Sequence, residues 1–140
     1  MSEPLHVILS NASMVHRRVC RQEFAKLNLS DGQPKVLANL LGNEGIVQKD
    51  LAIICSVEPA TMTSLLQKLQ QDELIEKRAT SVSGGKRAFC INLTKKGREL
   101  ALRVQQIMED AEKQAFQGFT EEERKQFLSL ITRLTENLSQ

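Results

Sequence analysis

From Pro59 to Gln71 the chain reads PATMTSLLQKLQQ, without a single acidic residue. Met62, Leu65, Leu66 and Leu69 recur at i, i+3, i+4 and i+7, so the stretch predicts an amphipathic helix with those four turned inward. The outward stripe is Ala60, Ser64, Gln67 and Gln71, flanked by Thr61, Thr63 and Lys68. A water-facing stripe usually carries Glu and Lys, which form helix well and stay hydrated. Small, neutral, hydrogen-bonding side chains suit a different surface: the base edges of a DNA major groove, which present donors and acceptors rather than charge. Thr61, Ser64 and Gln67 meet that need. Pro59, Ala60 and Thr63 complete the start of the helix, and Lys68 adds a phosphate or guanine contact.

Cationic groups follow directly. Residues 77–98 hold Lys77, Arg78, Lys86, Arg87, Lys95, Lys96 and Arg98 and no acid, although the whole chain is only +2. A local excess of this kind attracts a polyanion through salt-sensitive, sequence-independent forces. Within it, SGGKR (Ser83, Gly84, Gly85, Lys86, Arg87) reads as a hairpin tip whose glycines permit close backbone approach. Its two cations would reach a narrow minor groove. Gln48 and Lys49 open a short helix whose free N–H groups point toward a backbone phosphate, and Gln33, Lys35 and Arg78 join that phosphate-positioning set. Lys95, Lys96 and Arg98 at a helix start oppose the helix dipole, which also invites an anion. The last third, residues 99–140, carries 5 basic and 8 acidic groups and would be repelled by the same partner.

Elements that position these residues can be read around them. At 140 residues with 41% hydrophobic and 26% charged side chains, the expectation is one globular domain spanning 1–140. Ile8, Ala12, Val15 and Val19 repeat at helical spacing up to about Leu27, and a second helix runs from about Gln33 to a stop at Gly42–Gly45. A short helix follows in VQKDLAIICS, with Leu51, Ile54 and Cys55 inward. After the neutral-faced helix the period changes to alternation, with Phe89, Ile91 and Leu93 on one face and Ala88, Cys90 and Asn92 on the other: a β-hairpin around a turn at 81–85. Thr94 caps a long helix carrying Leu100, Val104, Ile107, Ala111 and Ala115, and Gly118 breaks it. Thr120–Glu123 has capping-box spacing before a last helix with Phe127, Leu130, Ile131, Leu134 and Leu138. The fold class is therefore mainly α with a small β-hairpin wing. A winged helix-turn-helix at 31–98 is flanked by helices at 1–30 and 99–140.

Any one of these features alone is ordinary surface; their conjunction within about fifty residues points to double-stranded DNA. The run GIVQKDLAIICSVEPATMTSLLQKLQQDELIEKR, followed by GGKRAFCINLTKKGREL, resembles the MarR (multiple-antibiotic-resistance regulator) family of bacterial winged-helix transcription factors. The likeness covers residues 5–138, and Arg87, Leu93, Thr94 and Gly97 carry its most specific motif. It implies a homodimer joined through the N- and C-terminal helices and bound to a palindromic operator. The usual role is that of a repressor released by a small apolar or anionic ligand or by thiol oxidation. It also places Thr61, Thr63 and Ser64 at the base-reading start of the recognition helix and Arg87 at the wing tip. Three positions depart from the family pattern. Gly85 replaces an aspartate that orients the wing arginine, Ser64 replaces a frequent arginine, and Glu73 replaces a glycine suited to a left-handed turn.

Other chemistries find little support. Cys20, Cys55 and Cys90 are odd in number and far apart, so neither a disulfide framework nor a metal motif is expected. Cys20 is the one candidate for a redox switch, against a packed or interface thiol, while Cys55 and Cys90 read as inert. His16 and Cys20 sit four apart with Glu23 one turn on, a spacing open to a soft metal, but a solvated histidine reads better and no metal or cofactor is expected. No catalytic constellation stands out, so an enzyme is not expected. Trp and Tyr are absent, which argues against single-strand stacking. With no leader and no long apolar run, a cytoplasmic, membrane-free protein is expected. Two alternatives stay open: a thiol-responsive regulator of the same fold, and a winged-helix protein-interaction module that binds no DNA.

Overall fold

The computed structural model describes residues 2–82 and 84–140. Six helices and three strands follow in the order α1 (Leu5–Lys26), α2 (Gln33–Leu40), β1 (Ile46–Val47), α3 (Gln48–Ile54), α4 (Pro59–Gln71), β2 (Ile75–Ser81), β3 (Arg87–Leu93), α5 (Lys95–Ala115) and α6 (Glu121–Leu138). The chain divides into two compact units, residues 1–108 and 109–140.

In the first unit one apolar core joins every element around the three-helix segment. Val36, Leu37 and Leu40 of α2, Leu51 of α3, Met62, Leu66 and Leu69 of α4 and Ile91 of β3 are all fully buried. The antiparallel sheet has the order β1-β3-β2. Ile75 lies opposite Leu93 and Ser81 opposite Arg87, while Ile46 pairs with Ile91 on the other edge. The expected alternation along β3 holds at its base, where Ile91 and Leu93 are buried. Further out the same face leaves the core: Phe89 is exposed, with the Lys77 ammonium 4.8 Å from its ring centre.

Two sequence expectations are corrected. The short helix does not turn Ile54 inward; Leu51, Ala52 and Cys55 are buried and Ile54 is exposed. At about 100° per residue, a face centred between Leu51, Ala52 and Cys55 leaves Ile54 on the opposite shoulder. The segment before it also contributes β1, a strand of 2 residues that is too short for any periodicity to announce.

The winged region depends on a clasp where α4 ends, the ribbon opens and α5 begins. Thr94 N donates to Leu74 O (3.1 Å), Thr94 Oγ1 donates to Glu73 O (2.7 Å), and the same oxygen accepts from Gly97 N (2.9 Å). Thr94 is thus the expected N-cap of α5, satisfying one of the helix's free donors. Gly97 is required by contact: a Cβ there would overlap the Leu74 carbonyl. Glu73 adopts φ +60, so the left-handed turn persists without glycine, at a cost of about 1–2 kcal/mol.

The second unit holds the end of α5 and all of α6, joined at a turn where the rings of Phe116, Phe119 and Phe127 meet edge to face at centroid separations of 5.2, 5.8 and 6.5 Å. Both halves of the capping box form at α6, with Glu123 N donating to Thr120 Oγ1 and Thr120 N to Glu123 Oε1. Gly118 sits between the two helices with φ +85. Much of the apolar surface at the chain's two ends is uncovered: Leu5, Ile8 and Val15 of α1 and Phe127, Leu130 and Leu138 of α6 are exposed. No helix among the described residues is long and apolar enough to cross a membrane.

Gly97→Ala is expected to lower unfolding free energy by at least about 2 kcal/mol in urea titrations, because the added methyl meets backbone. Glu73→Gly should raise it by up to about 1 kcal/mol in the same assay by relieving the left-handed strain.

Candidate nucleic-acid interface

α4 begins cleanly because Pro59 needs no N–H partner at the first helical position and supplies a helical φ in advance. Its apolar stripe anchors it, with Met62, Leu66 and Leu69 buried and Leu65 half-buried against the core. The opposite side is open: Pro59, Ala60, Thr61, Thr63, Ser64, Gln67 and Lys68 are all exposed. α3 is tied to this face by Gln48, whose Nε2 donates to Thr63 Oγ1 at 3.2 Å. Thr63 Oγ1 in turn donates to Pro59 O (3.0 Å), and Ser64 Oγ donates to Ala60 O (3.4 Å). Lys49, next to Gln48, is exposed.

One member of the expected phosphate-positioning set, Gln33, faces elsewhere. Gln33 is 1% exposed and therefore out of reach of a phosphate. Its Oε1 accepts from Ser30 N (2.8 Å) and Ser30 Oγ (3.1 Å), so the side chain closes the turn into α2. Lys35 is exposed, and its ammonium donates one bond to Cys55 O (2.8 Å), where a cation satisfies a carbonyl at the end of α3. The periodicity that placed both on α2 gave no sign of which way they point.

The hairpin turn is held by Val82 N to Lys86 O (3.0 Å) and Gly85 N to Val82 O (3.1 Å). Gly84 and Gly85 both take positive φ, 86 and 75, which side chains other than glycine rarely adopt. Ser83 lies outside the described residues. Lys86 and Arg87 are exposed, and Arg87 has no polar partner among the described residues, in keeping with Gly85 at the aspartate position. Arg78 is exposed on β2.

One of the seven charges in that stretch is neutralised inside the protein, and two more cations are held in place there without losing their charge. Arg98 is paired with Glu44 through contacts of 2.6 and 2.8 Å, and Glu44 Oε1 also accepts from Leu93 N (3.2 Å). Lys96 donates to Asp72 O (3.2 Å), and Lys77 covers the Phe89 ring. The uncommitted cations of that stretch are Arg78, Lys86, Arg87 and Lys95, among the described residues. Glu44 lies 54 residues before Arg98, so a search for acids near the basic run misses it. Only the fold brings the two together.

The model of the MarR family matches residues 29–82. The crystal structure of MarR has 30% sequence identity and a TM-score of 0.79, covering 99% of this chain and 92% of that one. A Listeria monocytogenes protein described as a MarR family transcriptional regulator, solved in complex with 26mer DNA, has 26% identity and a TM-score of 0.84 over 99% of this chain and 90% of its own. A helix-turn-helix-type transcriptional repressor of Mycobacterium tuberculosis is 28% identical over 131 residues, 94% of this chain and 93% of that protein.

The three thiols differ in access. Cys20 and Cys55 are buried, and burial pushes both thiols above their ordinary pKa; for Cys55 the Lys35 ammonium and an Asn39 hydrogen bond oppose that shift. Cys90 is half-buried on β3. A buried neutral thiol is a poor nucleophile. In the folded protein an aromatic disulfide reagent at pH 8 should therefore label Cys90 first, and Cys55 only on unfolding. Because the unfolded thiols ionise first, the Cys20 and Cys55 contributions to stability should be intact below about pH 8.5 and lost as pH rises through their raised folded values. A Cys55→Ala variant should show a shallower alkaline decline in urea titrations.

Proposed function

The chain belongs to the MarR family, and from that premise we propose that it is a homodimeric, sequence-specific regulator of transcription that binds double-stranded DNA, acting as a repressor. The observation that carries this reading is the open, acid-free side of α4 in the same unit as a glycine-tipped hairpin with two exposed cations, Lys86 and Arg87. α4 enters a major groove, where Thr61, Ser64 and Gln67 face base edges. Lys68, Gln48, Lys49 and Arg78 hold the backbone, and Arg87 reaches the minor groove. Support comes from the Listeria relative solved on DNA at 26% identity and from the mycobacterial relative, which is named a repressor.

Dimerisation is favoured by the uncovered apolar residues of α1 and α6, which a lone chain would leave in water. A twofold dimer presents two copies of α4, so the operator is a palindrome with half-sites about one helical turn apart. Release by a small molecule is favoured over release by oxidation, since Cys20 is buried and its thiol is held in the neutral form. A protein that works on DNA in this way resides in the cytoplasm.

Arg87→Ala is expected to weaken operator binding and to flatten the dependence of log K on log salt by roughly one unit, read by fluorescence anisotropy across a salt series. Unchanged affinity and slope would remove the wing from the interface. Failure of the unaltered protein to bind any duplex would favour the protein-interaction module. Sedimentation should find a dimer, and a monomer at micromolar concentration would defeat that part of the reading.

A further inference from the structure

Which bases α4 can read depends on the hydrogen-bonding capacity its side chains have left. Thr63 Oγ1 both donates, to Pro59 O, and accepts, from Gln48 Nε2. Its one proton is spent and one of its two lone pairs is used, so toward a ligand it can accept once more but not donate. Ser64 Oγ has only a long 3.4 Å contact to Ala60 O, and its single hydroxyl can offer a base one bond but not a parallel pair. Ala60 offers a methyl group. Gln67 stands on the same stripe, within about 60° of Ala60 and Ser64 at 100° per residue. It is exposed, and its amide makes no hydrogen bond among the described residues. It retains two donors and an acceptor in one plane.

Neighbouring side chains cannot substitute for it. Thr61 has one hydroxyl, which cannot form two parallel bonds, and Lys68 has donors but no acceptor. Gln70 lies on the Thr63 shoulder of the helix. Gln71 is the last residue of α4, whereas recognition helices contact bases near their N-terminal end. Adenine presents the matching pair in the major groove, an N7 acceptor beside an N6 donor. Guanine presents two acceptors, which would set its O6 against the Gln67 carbonyl oxygen.

Resting on the regulator reading above, we propose that Gln67 is the specificity-determining residue of α4 and selects an adenine in each half-site through two hydrogen bonds to N6 and N7. The Thr63 hydroxyl then serves the protein's own geometry, holding α4 to α3 and to its first turn, rather than donating to bases.

The test is selection of bound duplexes from a random pool with the full-length protein and its Gln67→Ala and Gln67→Arg variants. The unaltered protein should enrich a palindrome with one adenine position per half-site. Gln67→Ala should lose the preference there alone, with discrimination falling roughly ten- to hundredfold, while the other positions persist. Gln67→Arg should convert that position to guanine, since arginine pairs with O6 and N7. The proposal is overturned if the adenine survives in Gln67→Ala, if every position fades together, or if the arginine variant keeps adenine. Those results would leave the regulator reading standing. Absence of any enriched sequence from the unaltered protein would overturn both.

Discussion

The geometry of the winged region depends on a contact that leaves no room for a side chain. Gly97 lies against the Leu74 carbonyl so closely that even a methyl group would overlap it. Thr94 fastens the same point with three hydrogen bonds, reaching the end of α4 at Glu73, the first residue before β2 at Leu74 and the first turn of α5 at Gly97. The neutral-faced helix, the root of the ribbon and the long helix are therefore joined at one place. The α4 turn tolerates Glu73 in a left-handed conformation because its carbonyl is held by this clasp and its N–H donates to Gln70 O.

Electrostatics in the same region are set by the fold rather than by the local sequence. Seven cations without an acid between residues 77 and 98 look like one uninterrupted patch. Glu44 enters from the α2–β1 loop, pairs with Arg98 and accepts from Leu93 N, turning one apparent ligand of a polyanion into a structural tie. Lys77 and Lys96 are also engaged within the protein. The cations left over stand on the ribbon at Arg78, Lys86 and Arg87 and at the start of α5.

Much of the fold was legible because its signals are short-range. The α4 stripe of Met62, Leu66 and Leu69, the alternation at Ile91 and Leu93, the Thr94 cap and the Thr120–Glu123 capping box are all patterns within a few residues, and each formed as read. Errors occurred where a pattern was too short or a direction was undetermined. β1 has no periodicity to measure, and seven residues of α3 could not distinguish Ile54 from Ala52 as the buried neighbour. Gln33 and Lys35 look polar and available in the sequence. In the fold one closes a turn and the other caps a carbonyl.

The sequence by itself determined which elements exist and which face of α4 carries no charge, because helix and strand periods are properties of the backbone. It also determined the glycine and threonine at the clasp. Only the tertiary structure decided which polar groups remain free. Hydrogen bonds and ion pairs form between residues 15 to 54 positions apart, as Gln48 with Thr63 and Glu44 with Arg98, and no local pattern encodes such a pairing. A donor already spent inside the protein cannot be offered to a ligand, so the hydrogen-bonding capacity that α4 has left follows from packing rather than from composition.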